Sequence, residues 1–213
     1  MIPEAGRESL RTAGMLLAFA VAGTALLAFV YALTRPIIAK TEEAAKLALI
    51  AQVLPAKLYD NDLLRDVIEL APAPELGSVE AGHAYRARLN GQPAAVVLEA
   101  VAPDGYSGRI RLLIAIRADG ELAGARVVAH RETPGLGDYI EAAKSDWITG
   151  FQGRSLENPA PEGWKVKKDG GQFDYMAGAT ITPRAVVRAV KRALDYYGRN
   201  RERLFAPAAG GGR

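Results

Sequence analysis

Hydrophobic and polar positions separate an N-terminal apolar stretch from a longer region of alternating pattern. Residues 12–34 are 23 consecutive residues without a charge, which as a helix would extend about 35 Å at about 1.5 Å per residue. A hydrocarbon core is roughly 30 Å thick, whereas the apolar core of a cleaved signal peptide has only about 7–15 residues. The pattern therefore predicts a retained, single-pass transmembrane helix.

Proline residues mark the region that follows the apolar stretch. Pro36 interrupts the apolar run, and residues 37–54 are typical of a juxtamembrane helix closed by Pro55. The Ala-Pro-Ala-Pro stretch at 71–74 is turn or linker material that precedes a folded core. We therefore predict a stub and membrane anchor at 1–35, a juxtamembrane helix and linker at 36–75, a folded domain at 76–205 and a disordered tail at 206–213.

Short alternating segments with turn signals between them predict an antiparallel sheet. Asn90-Gly91 suits the positive φ values of a type I′ turn, and Asp119-Gly120 marks a second turn. The predicted strands are 85–89, 94–100, 109–117, 125–129 and, later, 164–168, and a short helix is expected from Asp138 through Ile148. The predicted fold class is therefore α+β, a transmembrane helix followed by a twisted antiparallel sheet with packed helices.

A second long helix is predicted near the C-terminus. Thr182 is a good N-cap residue and Pro183 suits the first helical position, because its φ is preset and it has no N–H to satisfy. Apolar residues recur at helical spacing from Val186 to Tyr197, and Gly198 marks the expected end. The free amides and positive dipole end of such a helix start favour an anion.

Composition and missing motifs restrict the possible chemistry. The 213 residues include no cysteine, which excludes disulfides, thiolate catalysis and iron–sulfur ligation by cysteine. A net charge of +3 without a concentrated basic run gives no reason to expect nucleic acid as a partner. Walker and Rossmann glycine patterns and a cluster of metal ligands are also missing from the sequence. No catalytic residue and no complete active site for substrate turnover is predicted in this chain alone.

One threonine lies directly before the C-terminal helix, in the segment Asp-Tyr-Met-Ala-Gly-Ala-Thr that ends at Thr180. Gly178 and Ala179 leave room for a bulky group to approach the backbone, which places the Thr180 hydroxyl beside a potential phosphate site. The alternative interpretation is a small-residue turn before a capped helix. A Gly-Ala-Thr triplet alone does not decide between them.

Two further loops are candidates for binding. Residues 130–138 contain Pro134, Gly135 and Gly137, which set the backbone of a strand-to-helix turn or let amides approach a flat ring. Residues 105–108 place Tyr106 between glycines, either as a hairpin entry or as an aromatic contact for a ligand. His130 fits a structural hydrogen bond as well as a proton shuttle.

The segment ending at Thr180 resembles the flavinylation motif of the FMN-binding domain family, in which a flavin transferase takes FMN from FAD and joins its phosphate to a threonine oxygen. Thr180 corresponds to the ester-bearing threonine, and Asp174 matches the aspartate that precedes the motif. Ala177 stands where the family often has Ser or Thr. The resemblance implies covalent FMN on Thr180.

The order and spacing of the segments at 105–116, 130–138 and 174–180 are similar to those of the G subunit of Rnf-type ion-translocating electron-transport complexes, a relative of the C subunit of sodium-translocating NADH:quinone reductase. With the N-terminal anchor, this resemblance covers nearly the whole chain. It implies a membrane-anchored electron-transfer subunit, held in the bacterial inner membrane with its flavin domain on the periplasmic side. Its partners would be the other subunits of the complex, the flavin transferase and the lipid bilayer.

The resemblance also implies which residues surround the cofactor, and makes 76–205 an FMN-binding domain. Beside the ester on Thr180, the expected contacts are Gly178, Ala179, Thr182, Glu132, Thr133, Gly135, Leu136, Gly137 and Tyr106. Two other functions stay open at this point. One is a membrane-tethered binding or regulatory domain without flavin, and the other is a stand-alone extracytoplasmic flavin reductase.

Overall fold

A computed structural model describes residues 4–206 and divides the chain into two units, Met1–Lys46 and Leu47–Arg213. The predicted tail at 206–213 lies, except for Ala206, outside the described residues. Helix α1 (Glu4–Ala51) is the first element that the structure describes, and its apolar part is long enough to cross a membrane by length and composition. The juxtamembrane helix predicted at 37–54 is not a separate element, because α1 continues through Pro36 to Ala51. A proline removes one backbone hydrogen bond, and the neighbouring turns keep theirs.

Five strands form one antiparallel sheet in the order in which they occur along the chain. They are β1 (Val67–Leu70), β2 (Gly82–Leu89), β3 (Gln92–Ala102), β4 (Ile110–Arg117) and β5 (Leu122–Ala129). Asn90 and Gly91 have φ values of 52° and 75° and connect β2 to β3, as the turn signal predicted. The predicted α+β class with an antiparallel sheet is confirmed.

Helix α2 (Ile181–Phe205) covers one face of this sheet and closes the main core. Alternate residues of β3 and β4, such as Leu98 and Ile114, point to this face and are completely buried against Val186, Val190 and other residues of the helix. The helix continues past Gly198, where it was predicted to end. The apolar stripe extends to the buried Leu204, so the packing of about two more turns outweighs the low helix propensity of glycine.

A second, smaller apolar cluster lies on the other face of the sheet. Ile50, Val53, Leu54 and Leu63 are buried there against strand residues that include Val97. Strand β1 adds to the same sheet by pairing with β2 from Val67↔Tyr85 to Leu70↔Gly82. Residues before position 76 therefore supply one strand of the sheet and the side chains that cover one of its faces.

The chain between β5 and α2 consists of short 3-10 helices and turns rather than the longer elements that were predicted. The predicted helix from Asp138 to Ile148 is replaced by two 3-10 segments, Asp138–Ile140 and Asp146–Phe151. The predicted strand at 164–168 is reduced to a single bridge between Val166 and Phe173. Val166 is followed by a 3-10 turn, Lys167–Asp169, and by Gly170 with a left-handed φ of 81°. Because the chain turns directly after Val166, the bridge does not extend into a ladder.

Candidate functional site

Thr180 occupies the N-cap position of α2 without capping the helix through its side chain. Its backbone is already helical, with φ −75° and ψ −26°, and its hydroxyl makes no capping hydrogen bond. No hydrogen bond to this hydroxyl occurs anywhere within residues 4–206. A half-buried threonine with an unengaged hydroxyl at a helix start is available to react.

The first turn of α2 leaves backbone donors free beside Thr180. Arg184 N donates to the Thr180 carbonyl at 3.4 Å, which closes the first helical turn. The N–H groups of Ile181 and Thr182 donate to no group among the residues described, and Pro183 has no N–H. Because the positive end of the helix dipole adds to these donors, the position next to the Thr180 hydroxyl favours an anionic group such as a phosphate.

Thr182 has a different role from the predicted one. It is 1% exposed, and its hydroxyl donates to Glu132 Oε2 across fifty residues of sequence. The prediction that Thr182 is the N-cap residue was wrong, because the chain enters the helix two residues earlier and Thr182 lies in the first turn facing the interior. Thr182 instead joins α2 to the loop after β5.

Glu132 is the buried charge that connects the loops around Thr180. It is 4% exposed, and its second carboxylate oxygen accepts a hydrogen bond of 3.0 Å from Ser107 N. Glu132 therefore links the glycine loop at 105–108 and the loop at 130–138 to the start of α2. We interpret it as a residue that positions these loops, and its expected contact with a flavin edge stays a prediction.

Glycine is favoured around Thr180 by backbone conformation at some positions and by lack of space for a side chain at another. Gly135 and Gly178 have positive φ values of 76° and 86°, which L-residues rarely adopt. Gly137 has an ordinary φ of −91°, but a Cβ there would lie 3.0 Å from both Glu132 Oε2 and Thr182 Oγ1. A Cβ on Gly178 would lie 4.0 Å from Leu136 Cδ2. The loop at 130–138 and the motif at 174–180 are therefore neighbours.

Within residues 52–206, large apolar side chains are exposed mainly on the segments next to Thr180. Among residues 52–206, eight such side chains are exposed, and five of them belong to these segments. They are Tyr106, Leu136, Tyr175, Met176 and Ile181, with exposed fractions from 39% to 67%. Their position on the segments around Thr180 makes these side chains candidates for contact with an apolar ligand.

Asp174 in the motif and His130 in the loop at 130–138 also have side-chain partners. The Asp174 carboxylate is 71% exposed and accepts from Lys167 Nζ. His130 Nδ1 accepts a 3.0 Å hydrogen bond from Glu132 N, so its proton resides on Nε2, which lies 2.7 Å from Glu141 Oε1. With both ring nitrogens engaged in the protein, His130 is a structural hydrogen bonder.

Four residues contribute to the site although the sequence did not identify them as contacts, and two of them, Ser107 and Asp138, lie in loops that it did select. Ser107 and Asp138 act through single hydrogen bonds, from Ser107 N to Glu132 and from Gly135 N to Asp138 Oδ1 at 2.8 Å. Tyr139 and Trp147 contact the backbone of the motif. All four roles depend on contacts between distant segments, which residue type and spacing do not specify.

The chain is similar to known proteins over nearly its whole length. A family model described as an FMN-binding domain matches residues 105–195, and one described as the RnfG N-terminal region matches residues 1–53. The G subunit of the ion-translocating oxidoreductase complex of Pseudomonas aeruginosa (strain UCBPP-PA14) is 53% identical over 97% of this chain and 96% of its own length. The corresponding G subunit of Vibrio atlanticus is 45% identical over 93% of this chain and 95% of its own.

A solved structure, that of the C subunit of Na(+)-translocating NADH-quinone reductase from Parabacteroides distasonis, matches 69% of each chain at 19% identity with a TM-score of 0.42. The two curated relatives match nearly from end to end, and the FMN-binding match includes the glycine loop, the loop with Glu132 and Thr180. The resemblance seen in the sequence is confirmed. The chain belongs to the family of G subunits of ion-translocating oxidoreductase complexes.

Proposed function

We propose that this chain is the membrane-anchored electron-transfer subunit of an Rnf-type ion-translocating oxidoreductase complex, and that it carries FMN on Thr180. The observation that carries the proposal is the free Thr180 hydroxyl at the start of α2, within the region that matches an FMN-binding domain. Family membership supports the function, and the geometry of the residues supports the attachment site.

The residues around Thr180 fit FMN in both of its parts. The phosphate fits the free N–H groups of Ile181 and Thr182 and the positive end of the helix. The flat ring system fits the exposed apolar side chains, of which Leu136 and Met176 are two. Ala179 and the glycines Gly135 and Gly178 add no bulky side chains there, which permits close approach of the backbone.

Attachment is a transfer reaction in which the FMN half of FAD moves to Thr180. The Thr180 oxygen attacks the phosphorus of the FMN half of FAD, forming the O–P bond while the phosphoanhydride bond breaks and AMP leaves. The hydroxyl proton passes to a base of the flavin transferase, which is the partner that the proposal requires. This chain supplies the nucleophile and the amides of Ile181 and Thr182, which stabilise negative charge on the phosphate.

Bound FMN supplies reversible electron transfer, and the protein supplies its position. Covalent attachment retains the cofactor through many turnovers. We propose that the exposed Leu136 and the backbone of Thr133 and Gly137 line one side of the flavin, and that the exposed aromatic ring of Tyr106 lies at its edge. The other subunits of the complex then handle the substrates and the ion.

The proposed location is the inner membrane, with one crossing by α1 and the domain from Leu47 onward on the periplasmic side. Its support is the apolar helix and the family membership. Flanking charges do not decide orientation, since Arg7 and Arg11 precede the apolar stretch and Arg35 and Lys40 follow it. Protease digestion of oriented vesicles tests this, and cleavage of the domain from the cytoplasmic face would contradict it.

Replacement of the acceptor residue tests the proposed attachment. Thr180→Val keeps the shape of the side chain but removes the nucleophilic oxygen, so we expect folded protein without covalent flavin when it is produced together with the transferase. Thr180→Ser keeps the oxygen and should retain part of the labelling. Flavin fluorescence in a denaturing gel provides the readout. A fluorescent Thr180→Val band would refute the assignment.

A further inference from the structure

The motif at 174–180 is held by side chains from another segment rather than by regular secondary structure. Within it, one backbone hydrogen bond joins Ala179 N to Met176 O at 3.1 Å. Phe173, which precedes it, is fixed by backbone bonds to Lys165 and Lys167. The stretch between these two points has no strand or helix hydrogen bonds of its own.

Two aromatic side chains supply the missing backbone partners. Trp147 Nε1 donates to the carbonyl oxygen of Asp174 at 2.8 Å, and Met176 N donates to the Tyr139 hydroxyl oxygen at 3.3 Å. The two rings contact each other edge to face, with centroids 5.6 Å apart. Asp174 and Met176 are therefore attached to one aromatic pair.

The aromatic pair is anchored in the core, so it can hold the motif in place. Tyr139 is 7% exposed, and Trp147 contacts the fully buried Phe151 edge to face at 5.4 Å. Phe151 stacks on Phe173 at 4.7 Å, directly before the motif. The start of the motif and its two backbone anchors thus belong to the same packed cluster.

The backbone and the side chain of Asp174 are used in different ways. Its carbonyl oxygen is bound by Trp147, while its carboxylate is 71% exposed beside Lys167. This arrangement presents the carboxylate outward from a fixed main chain. Six residues further on, the unengaged Thr180 hydroxyl lies at the fixed start of α2.

We propose that Trp147 and Tyr139 are positioning residues for flavin attachment, which present the Asp174 carboxylate and the Thr180 hydroxyl to the flavin transferase in one conformation. The inference rests on the proposed function of Thr180 as the acceptor. An acceptor segment that is already ordered loses less conformational entropy when the transferase binds it. Loss of either anchor therefore slows the transfer without removing the nucleophile.

The chain offers a matched control for each anchor. Tyr139→Phe removes the hydroxyl that accepts from the motif. Tyr197→Phe removes the hydroxyl of another buried tyrosine, which donates to Ala118 O at 3.1 Å and does not contact the motif. Trp147→Phe removes one indole N–H, and Trp164→Phe removes another, which donates to Ser155 O at 3.2 Å. Trp164 packs on Phe173 at 5.1 Å, so both tryptophan variants alter the same aromatic cluster and only Trp147→Phe removes a hydrogen bond to the motif. Each pair thus differs in whether the lost hydrogen bond reaches the motif.

The experiment uses full-length protein without flavin, purified transferase and FAD, and measures the initial rate of covalent labelling. Loss of one anchor should slow labelling roughly two- to tenfold relative to its control, the range that corresponds to the net contribution of one hydrogen bond. The Tyr139→Phe, Trp147→Phe double variant should be slower than either single variant. Equal rates within both matched pairs would overturn the proposal.

Hydrogen exchange separates a local effect from general unfolding. In Tyr139→Phe protein, the Met176 amide should exchange faster while the amides of β4 keep their exchange rates. Faster exchange across the whole domain would instead show a merely structural role and overturn the inference. If wild-type protein is not labelled, or if Thr180→Val is labelled, the proposed function itself fails, which is distinguishable from equal rates in the matched variants.

Discussion

At the scale of single residues, the environment of Glu132 has the clearest energetic consequence. Its buried carboxylate accepts hydrogen bonds from Ser107 N and the Thr182 hydroxyl, and these two donors lie on different segments. A buried donor that loses its acceptor costs roughly 1–3 kcal/mol. Glu132 therefore affects stability and the shape of the site together.

We predict that Glu132→Ala lowers the free energy of unfolding by roughly 1–3 kcal/mol because the buried Thr182 hydroxyl is left without a partner. The exposed Ser107 amide can bond to water instead, so the loss of its hydrogen bond adds only about 0.5–1.5 kcal/mol. Glu132→Gln should be milder, because its amide can still accept from Ser107 N. Denaturant unfolding provides the measurement, with Glu121→Ala, an exposed carboxylate on the β4–β5 turn, as the control. A loss no larger than that of the control would contradict the linking role.

The loop at 130–138 gives a second residue-scale prediction, in which stability and flavin properties separate. Gly137→Ala should destabilise the protein whether or not flavin is bound, because its Cβ would press on Glu132 and Thr182. Leu136→Ala removes a side chain that is 46% exposed and should leave stability nearly unchanged. We expect Leu136→Ala to shift the absorbance and midpoint potential of the bound flavin. If a fully flavinylated Leu136→Ala protein keeps the wild-type spectrum and midpoint potential, the loop at 130–138 does not contact the flavin.

At the scale of elements, strong local patterns predicted most of the sheet. Strands β2, β3 and β4 have clear alternation, and Asn90-Gly91 and Asp119-Gly120 punctuate them, so their predicted bounds lie within a few residues of the observed ones. Strand β1 was missed because four residues are too short to show a period. Its pairing with β2 is a long-range contact that only the folded chain defines.

The candidate site was predicted in part for the same physical reason. The position of Thr180 before a helix follows from the local signals of Thr182, Pro183 and the apolar stripe after them. The capping role of Thr182 was wrong because a tertiary contact, the hydrogen bond to Glu132, competes with the local cap. Trp147 and Tyr139 could not be predicted, since their partners lie 27 and 37 residues away.

A fragment comparison tests which elements the folded unit requires. A fragment of residues 47–206 contains β1 and the cluster around Ile50, Leu54 and Leu63, and we expect one cooperative thermal transition from it. A fragment of residues 76–206 lacks these parts and leaves the edge of β2 and one face of the sheet uncovered. Calorimetry and circular dichroism provide the test. Equal cooperativity of the two fragments would show that the N-terminal elements are dispensable.

At the scale of the whole molecule, buried tyrosines predict the response of stability to alkaline pH. Burial raises the pKa of Tyr139 to about 12, partly opposed by the hydrogen bond from Met176 N. Burial and the nearby Glu99 also raise the pKa of Tyr85. Because the folded state keeps these protons at a pH where the unfolded chain has released them, their contribution is complete below about pH 10 and is lost as the pH rises through the folded values.

The melting temperature should therefore fall as the pH increases from about 10 to 12, the range between the ordinary and the raised pKa of Tyr139. Tyr139→Phe should make this decline shallower, because the variant has no phenolic proton to lose at that position. Tyr106→Phe, at an exposed position, serves as the control. An identical slope for wild-type and Tyr139→Phe proteins would contradict the assignment of this effect to Tyr139.

The central claim is that one FMN is joined to Thr180, and peptide mass spectrometry of protein isolated from its native membrane tests it most directly. We predict one modified peptide that contains Thr180, with an added mass equal to FMN less one water and fragment ions that place the addition on that threonine. Unmodified Thr180 throughout a preparation that carries its flavin, or FMN joined to another residue, would contradict the claim.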